Sequence, residues 1–111
     1  VKLSSFNKPY ISDDKLLDYC LNPLHPDGKH KARVFKAALE IDQSNFDILK
    51  NEIIRKIANV DVNLLDQNEF GSLYFADIKI VNGKWSAVVR TCWIIKIEED
   101  FPRLTSCFVI K

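Results

Sequence analysis

Lys84 to Ile97 reads KWSAVVRTCWIIKI. Trp85, Ala87, Val89, Trp93 and Ile95 recur at every second position, which sets one side-chain row on one face of a β-strand. Thr91 stands in the same row, a hydroxyl where the alternation calls for a hydrocarbon. Strand-like stretches flank the segment, from Ser72 to Val81 before it and from Arg103 to Ile110 after it, so it is expected to be the central strand of an antiparallel meander. A first strand is expected over Val60 to Asp66, with Gly71 as a turn between it and the second.

The turns predict which side chains meet. A two-residue loop at Asn82-Gly83 pairs Val81 with Lys84, hence Ile80 with Trp85, Ile78 with Ala87, Ala76 with Val89 and Tyr74 with Thr91. A four-residue loop from Glu98 to Phe101 pairs Ile97 with Pro102, and so Ile95 with Leu104, Trp93 with Ser106 and Thr91 with Phe108. On that register one apolar face spans three strands, interrupted by the adjacent hydroxyls of Tyr74, Thr91 and Ser106. Buried strand hydroxyls commonly bond a nearby carbonyl, which is the structural reading of each one singly. The opposite face carries Leu73, Phe75, Asp77, Lys79, Ser86, Val88, Arg90, Cys92, Lys96, Arg103, Thr105 and Cys107, either a solvated outer face or one offering Arg90 and Arg103 to phosphates.

Upstream of the strands the period changes. Val1 to Ile11 has none and reads as an arm or incoming linker. Ser12, Asp13 and Asp14 open a helix with a hydroxyl cap and two acids, Leu16, Leu17, Cys20 and Leu21 give its apolar side, and Asn22-Pro23 stops it. His25-Pro26-Asp27-Gly28 is a turn. A second helix is expected from about Lys29 to Leu39, with Lys29, Arg33, Lys36 and Glu40 on one side and Ala32, Phe35, Ala38 and Leu39 on the other. Lys31 falls on the apolar side in the first turn, where it either snorkels past the core edge or aims its ammonium at whatever the helix packs on. Ser44 and Asp47 resemble a capping box before a third helix whose stripe is Phe46, Leu49, Ile53 and Ile57, ending near Ala58. Three helices followed by an antiparallel meander make an α+β fold, with the helices on one sheet face.

The chain has 111 residues, 47% apolar and 28% charged with three Gly and four Pro, the composition of one globular domain over residues 12–111. Its net charge of +1 means that a nucleic-acid partner would be held by a local basic patch. No apolar run approaches the roughly 18 to 20 residues of a membrane span. The lack of Met even at position 1 fits either a piece of a longer polypeptide or loss of an initiator Met. Cys20, Cys92 and Cys107 are far apart and the two His form no zinc spacing, so neither a metal nor another cofactor is expected. No Gly-rich phosphate loop and no G-x-S-x-G occurs. A His, a Lys and three hydroxyls brought together can bind a phosphate and move protons, as phosphodiester cleavage without a metal requires.

His25-Pro26-x-Gly28-x-x-Lys31-Ala32-x-x-Phe35, Gly71-x-x-Tyr74, Arg90-Thr91-x-Trp93 and Pro102-Arg103-Leu104 with Ser106 resemble a small bacterial domain family of uncharacterised function. Its members lie at the C-terminal ends of polymorphic toxins, including contact-dependent inhibition effectors, and the order of helices and strands is similar to the barnase, colicin and RelE ribonucleases by analogy of fold. The resemblance implies a toxin that cleaves RNA, tRNA foremost, to a 2′,3′-cyclic phosphate. It would be delivered from the cell surface within a larger protein, act as a monomer in the target cytoplasm and be neutralised by a cognate immunity protein. Lys31 would hold the phosphate, His25 would be the acid or base, and Tyr74, Thr91 and Ser106 would position oxygens, with Arg90 and Arg103 as RNA contacts. Cys92 and Cys107, opposite each other on the predicted register, are expected as reduced thiols in such a compartment. The alternative is a non-catalytic immunity or adaptor module in which Lys31 and the hydroxyls complete a polar core network.

Overall fold

The computed structural model describes residues 4–110 and has the expected α+β architecture. Helix α1 starts as an α-turn over Asp13–Lys15 and runs on as a π-turn over Leu16–Cys20; α2 is Lys29–Leu39 and α3 is Phe46–Ile57. Strands β1 (Asn63–Asn68), β2 (Gly71–Asn82), β3 (Trp85–Lys96) and β4 (Arg103–Val109) form one antiparallel sheet in the order β1-β2-β3-β4. The helices bury their apolar stripes, among them Leu16, Cys20, Phe35, Leu39, Leu49 and Ile53, on the inner face built from Ala76, Ile78, Ile80, Val89 and Trp93. Removing these side chains from water, at about 25 cal/mol per Å² of apolar area, is what holds the two layers together.

The stretch read as an arm packs into this core through Phe6 and Ile11. Phe6 is buried and meets Trp93 and Tyr74 edge-on, at 5.6 and 5.8 Å between ring centres. Tyr10 then bridges to the start of β4, its N–H donating to Pro102 O at 2.8 Å and its carbonyl accepting from Leu104 N at 2.9 Å. Residues 1–3 of that stretch, and Lys111, lie outside the described residues.

Both predicted registers are corrected. At the β2–β3 hairpin Asn82 pairs with Trp85 rather than Val81 with Lys84, so the loop is Gly83-Lys84. Gly83 has φ +60°, and a glycine at the first loop position gives a type II′ arrangement that matches strand twist. Asn82 is kept out of the loop by another task, donating from Nδ2 to Leu39 O at the end of α2, at 2.8 Å. The slip is by two residues, so every side chain keeps its face while its partner changes: Tyr74 lies beside Trp93, and Thr91 beside Ala76.

The β3–β4 error has larger consequences. Trp93 pairs with Leu104 but Cys92 with Ser106, an extra residue in β4 that forms a bulge at Thr105, whose hydroxyl donates to Cys92 O at 3.1 Å. The bulge allows Leu104 and Cys107, three positions apart, both to point inward. Ser106 and Phe108 are thereby sent to the face opposite Thr91, and Cys107 sits beside Thr91 rather than opposite Cys92.

The helix caps follow the same theme of local rule plus tertiary adjustment. The box ahead of α3 is made by Asp42 and Asn45, not Ser44 and Asp47: Asp42 accepts from Ser44 N at 2.9 Å and Asn45 accepts from Asp42 N at 2.8 Å. Inside α3, Glu52 is buried and accepts from Lys56 at 3.0 Å, from Arg55, and from Val81 N of the sheet at 3.1 Å. Burial works against this carboxylate, but Arg55, the Val81 N–H and Lys56 prevail and hold it down at about 2.

Candidate active site at the junction of α1, α2 and β4

Lys31 is placed by three local devices. Ser12 caps α1, accepting from Asp14 N at 3.2 Å, and the π-turn then closes with Leu21 N donating to Leu16 O at 2.8 Å. Such a turn admits one extra residue and sets the directions of the side chains it carries, here Tyr19 and Cys20. In the connection to α2, His25 Nδ1 accepts from both Asp27 N and Gly28 N at 2.9 Å. Gly28 presses against the π-turn so closely that a β-carbon there would lie 2.0 Å from the Tyr19 carbonyl oxygen. The His-Pro-x-Gly turn therefore docks the start of α2 directly onto α1.

The result is that Lys31 Nζ donates to the Tyr19 hydroxyl at 3.0 Å. Its ammonium lies 4.9 Å from the centre of the Tyr19 ring and 5.9 Å from that of Phe108 on β4. The Tyr19 hydroxyl raises the Lys31 pKa above its ordinary value, outweighing partial burial, with Cys20 and Asp27 adding through space. No carboxylate lies within ion-pair distance of Lys31 among the described residues. The His25 ring stands edge-on to Tyr19 at 5.0 Å. Beside Lys31 opens a cavity of about 330 Å³, lined by His30, Lys31, Val34, Phe108 and Val109.

The hydroxyls expected to meet Lys31 do not gather there. Thr91 is 0% exposed; its hydroxyl donates to Ala76 O and accepts from Trp93 Nε1, both at 2.8 Å, and so braces the core. Tyr74 is half-buried against Phe6, beside Trp93. Ser106 is on the far side of the bulge, yet its hydroxyl comes near enough to Cys20 to favour that residue's thiolate. Both predicted RNA arginines are engaged within the fold. Arg90 holds Asp77 with two bonds of 2.9 and 3.1 Å and stacks 4.4 Å from the Phe75 ring centre. Arg103 holds Glu99 at 2.8 and 2.7 Å between the rings of Tyr10 and Phe101. His25 is also more constrained than the sequence suggests: with Nδ1 accepting two N–H bonds, the neutral ring carries its proton on Nε2 and presents a donor.

Sequence reasoning missed Tyr19 and His30. Tyr19 reaches Lys31 only because a π-turn and a close glycine contact bring two helices together, which periodicity does not encode. His30 had a signal, since Lys29-His30-Lys31 fills the first turn of α2 with basic residues and no acid.

Over residues 2–111 the chain matches the family described as a domain of unknown function, DUF6883. The chain belongs to the DUF6883 family. No curated protein and no solved structure matches it. One further group adjoins Lys31: Cys107 donates its thiol proton toward Cys20, which lowers Cys20 and, with full burial, keeps Cys107 well above the usual thiol range. Cys92 is raised by burial, and all three cysteines are free.

Proposed function

We propose that this chain is a metal-independent endoribonuclease, the toxin domain of a larger bacterial protein delivered to a target cell, with tRNA as its substrate and a cognate immunity protein as its inhibitor. The observation that carries the reading is the Lys31 ammonium, 3.0 Å from the Tyr19 hydroxyl, without a carboxylate partner among the described residues, at the mouth of a cavity that His30 shares. A helix-borne ammonium left without a counter-charge is matched to a phosphate oxygen, whose charge grows as phosphorus becomes five-coordinate. His30 takes the proton from the RNA 2′-hydroxyl, and the 2′-oxygen attacks the adjacent phosphorus. The 5′-oxygen leaves with a proton from water, which the protonated His30 makes good, and the products are a 2′,3′-cyclic phosphate and a 5′-hydroxyl. Tyr19 orients Lys31, and His25, through Nε2–H, donates a hydrogen bond to a phosphate oxygen.

The closed bonding of Thr91 favours a second reading, a non-catalytic immunity or adaptor module whose polar groups serve the core alone. Expression in a sensitive cell separates the two. Wild type is expected to fragment RNA, Lys31→Ala to lower cleavage by at least a hundredfold, and purified wild type to keep its activity in excess EDTA while leaving cyclic or 3′-phosphate ends. Intact RNA with well-folded wild type would establish the binding module instead.

A further inference from the structure

The basic character of α2 extends past Lys31. Lys29, His30, Lys31, Arg33 and Lys36 all fall within its first eight residues, and its first turn holds no acid. Cations at the start of a helix face the positive end of its dipole, so this arrangement costs stability unless an anion arrives to offset it. Lys36 is already neutralised, 3.4 Å from Glu40 and 3.1 Å from Asp42. Lys29 and Arg33 are exposed, one turn apart on the same side, and neither has a carboxylate at ion-pair distance among the described residues. Both border a groove of about 800 Å³ that is also lined by the exposed apolar side chains of Pro23 and Ala37 and by Asp42. That volume lies within the range of about 300 to 1,000 Å³ usual for small-molecule sites.

We propose that this groove is a nucleotide subsite for single-stranded RNA, extending the ribonuclease reading on which it rests. Lys29 and Arg33 hold phosphates of a strand that passes over the start of α2 from Lys31 on its other side, and an unstacked base lies against Pro23 and Ala37 with its N–H donors toward Asp42. The carboxylates choose between polyanions. An acidic protein surface would press like charge against Glu40 and Asp42, whereas a nucleobase offers them donors while its backbone satisfies Lys29 and Arg33.

The test is fluorescence anisotropy with a labelled 12-nucleotide 2′-O-methyl RNA, titrated at several salt concentrations against wild type, Lys29→Ala/Arg33→Ala and the remote control Lys84→Ala/Lys96→Ala. The groove double variant should raise Kd about tenfold or more and lower the slope of log K against log salt by about 1.4, two single-strand phosphate contacts at about 0.7 each. The control should stay within about twofold of wild type. If the groove pair does not fold, as read by circular dichroism, each single variant should lower the slope by about 0.7. Unchanged affinity and slope, equal losses in the control, or equally tight displacement of the RNA by poly-glutamate would each overturn the subsite. The probe lacks the 2′-hydroxyl nucleophile, so its binding is independent of chemistry. Groove-dependent binding without any RNA cleavage by wild type sinks the nuclease reading alone; cleavage with groove-independent binding sinks the subsite alone.

Discussion

Helices α2 and α3 are similar in length and both lie on the inner face of the sheet, yet they treat the rules of helix stability in opposite ways. In α3, Asp47 sits in the first turn, Arg55 and Lys56 in the last, and a capping box precedes it, all favourable to the helix dipole. Its ionisable groups are consumed internally, with Glu52 bonded to Arg55, Lys56 and the sheet. In α2 the cap is Gly28 with no side-chain bond, the first turn is basic, and the helix ends on Glu40 at φ +55°, a left-handed conformation that favours glycine. The difference lies in where the charges go: α3 commits Glu52, Arg55 and Lys56 to one another and to the sheet, whereas α2 also carries Lys29 and Arg33, which have no carboxylate at ion-pair distance among the described residues.

The largest effect is expected at Gly28, where α2 meets α1. A β-carbon there meets the Tyr19 carbonyl, backbone that yields little, so Gly28→Ala should lower unfolding free energy by about 3 kcal/mol and separate Lys31 from Tyr19. Urea denaturation checks the first effect and, on the proposed ribonuclease reading, RNA cleavage the second; a variant as stable as wild type would mean that the two helices are not docked by this contact.

Next comes Glu52. Its folded-state pKa is about 2 against an ordinary 4.5, so its stabilisation is complete above pH 4.5 and is lost as the pH falls toward 2. Glu52→Gln should cost about 1 to 2 kcal/mol at pH 7 and flatten stability between pH 4.5 and 2 relative to wild type. On the proposed ribonuclease reading, cleavage by this variant, assayed at neutral pH where it remains folded, should be unchanged. Parallel denaturation curves for the two proteins across that range would refute the role given to this carboxylate.

The smallest effect is the most diagnostic. Lys29→Glu places an acid in the first turn and four residues before Arg33, and should raise stability by about 0.5 kcal/mol while weakening RNA binding. A thermal melt and the anisotropy titration on the same preparation read both signs. Loss of stability together with unchanged binding would place α2 beside α3 as an ordinary structural helix.

Periodicity alone determined the α+β layering, the apolar side of each helix, the inward row of β2 and β3, and the position of Lys31 at the core edge. These survive small errors because a strand that slips by two residues keeps its faces, as the Asn82–Trp85 hairpin did. What alternation cannot carry is an inserted residue or a contact between elements. The Thr105 bulge sent Ser106 away from Thr91, the π-turn and the Gly28 contact supplied Tyr19 as the partner of Lys31, and Asp77 and Glu99 engaged the two arginines read as RNA contacts. Face is a property of the local chain, fixed by backbone geometry one or two residues at a time. Partnership is decided only when loops, bulges and close backbone contacts set how far each element slides along its neighbour.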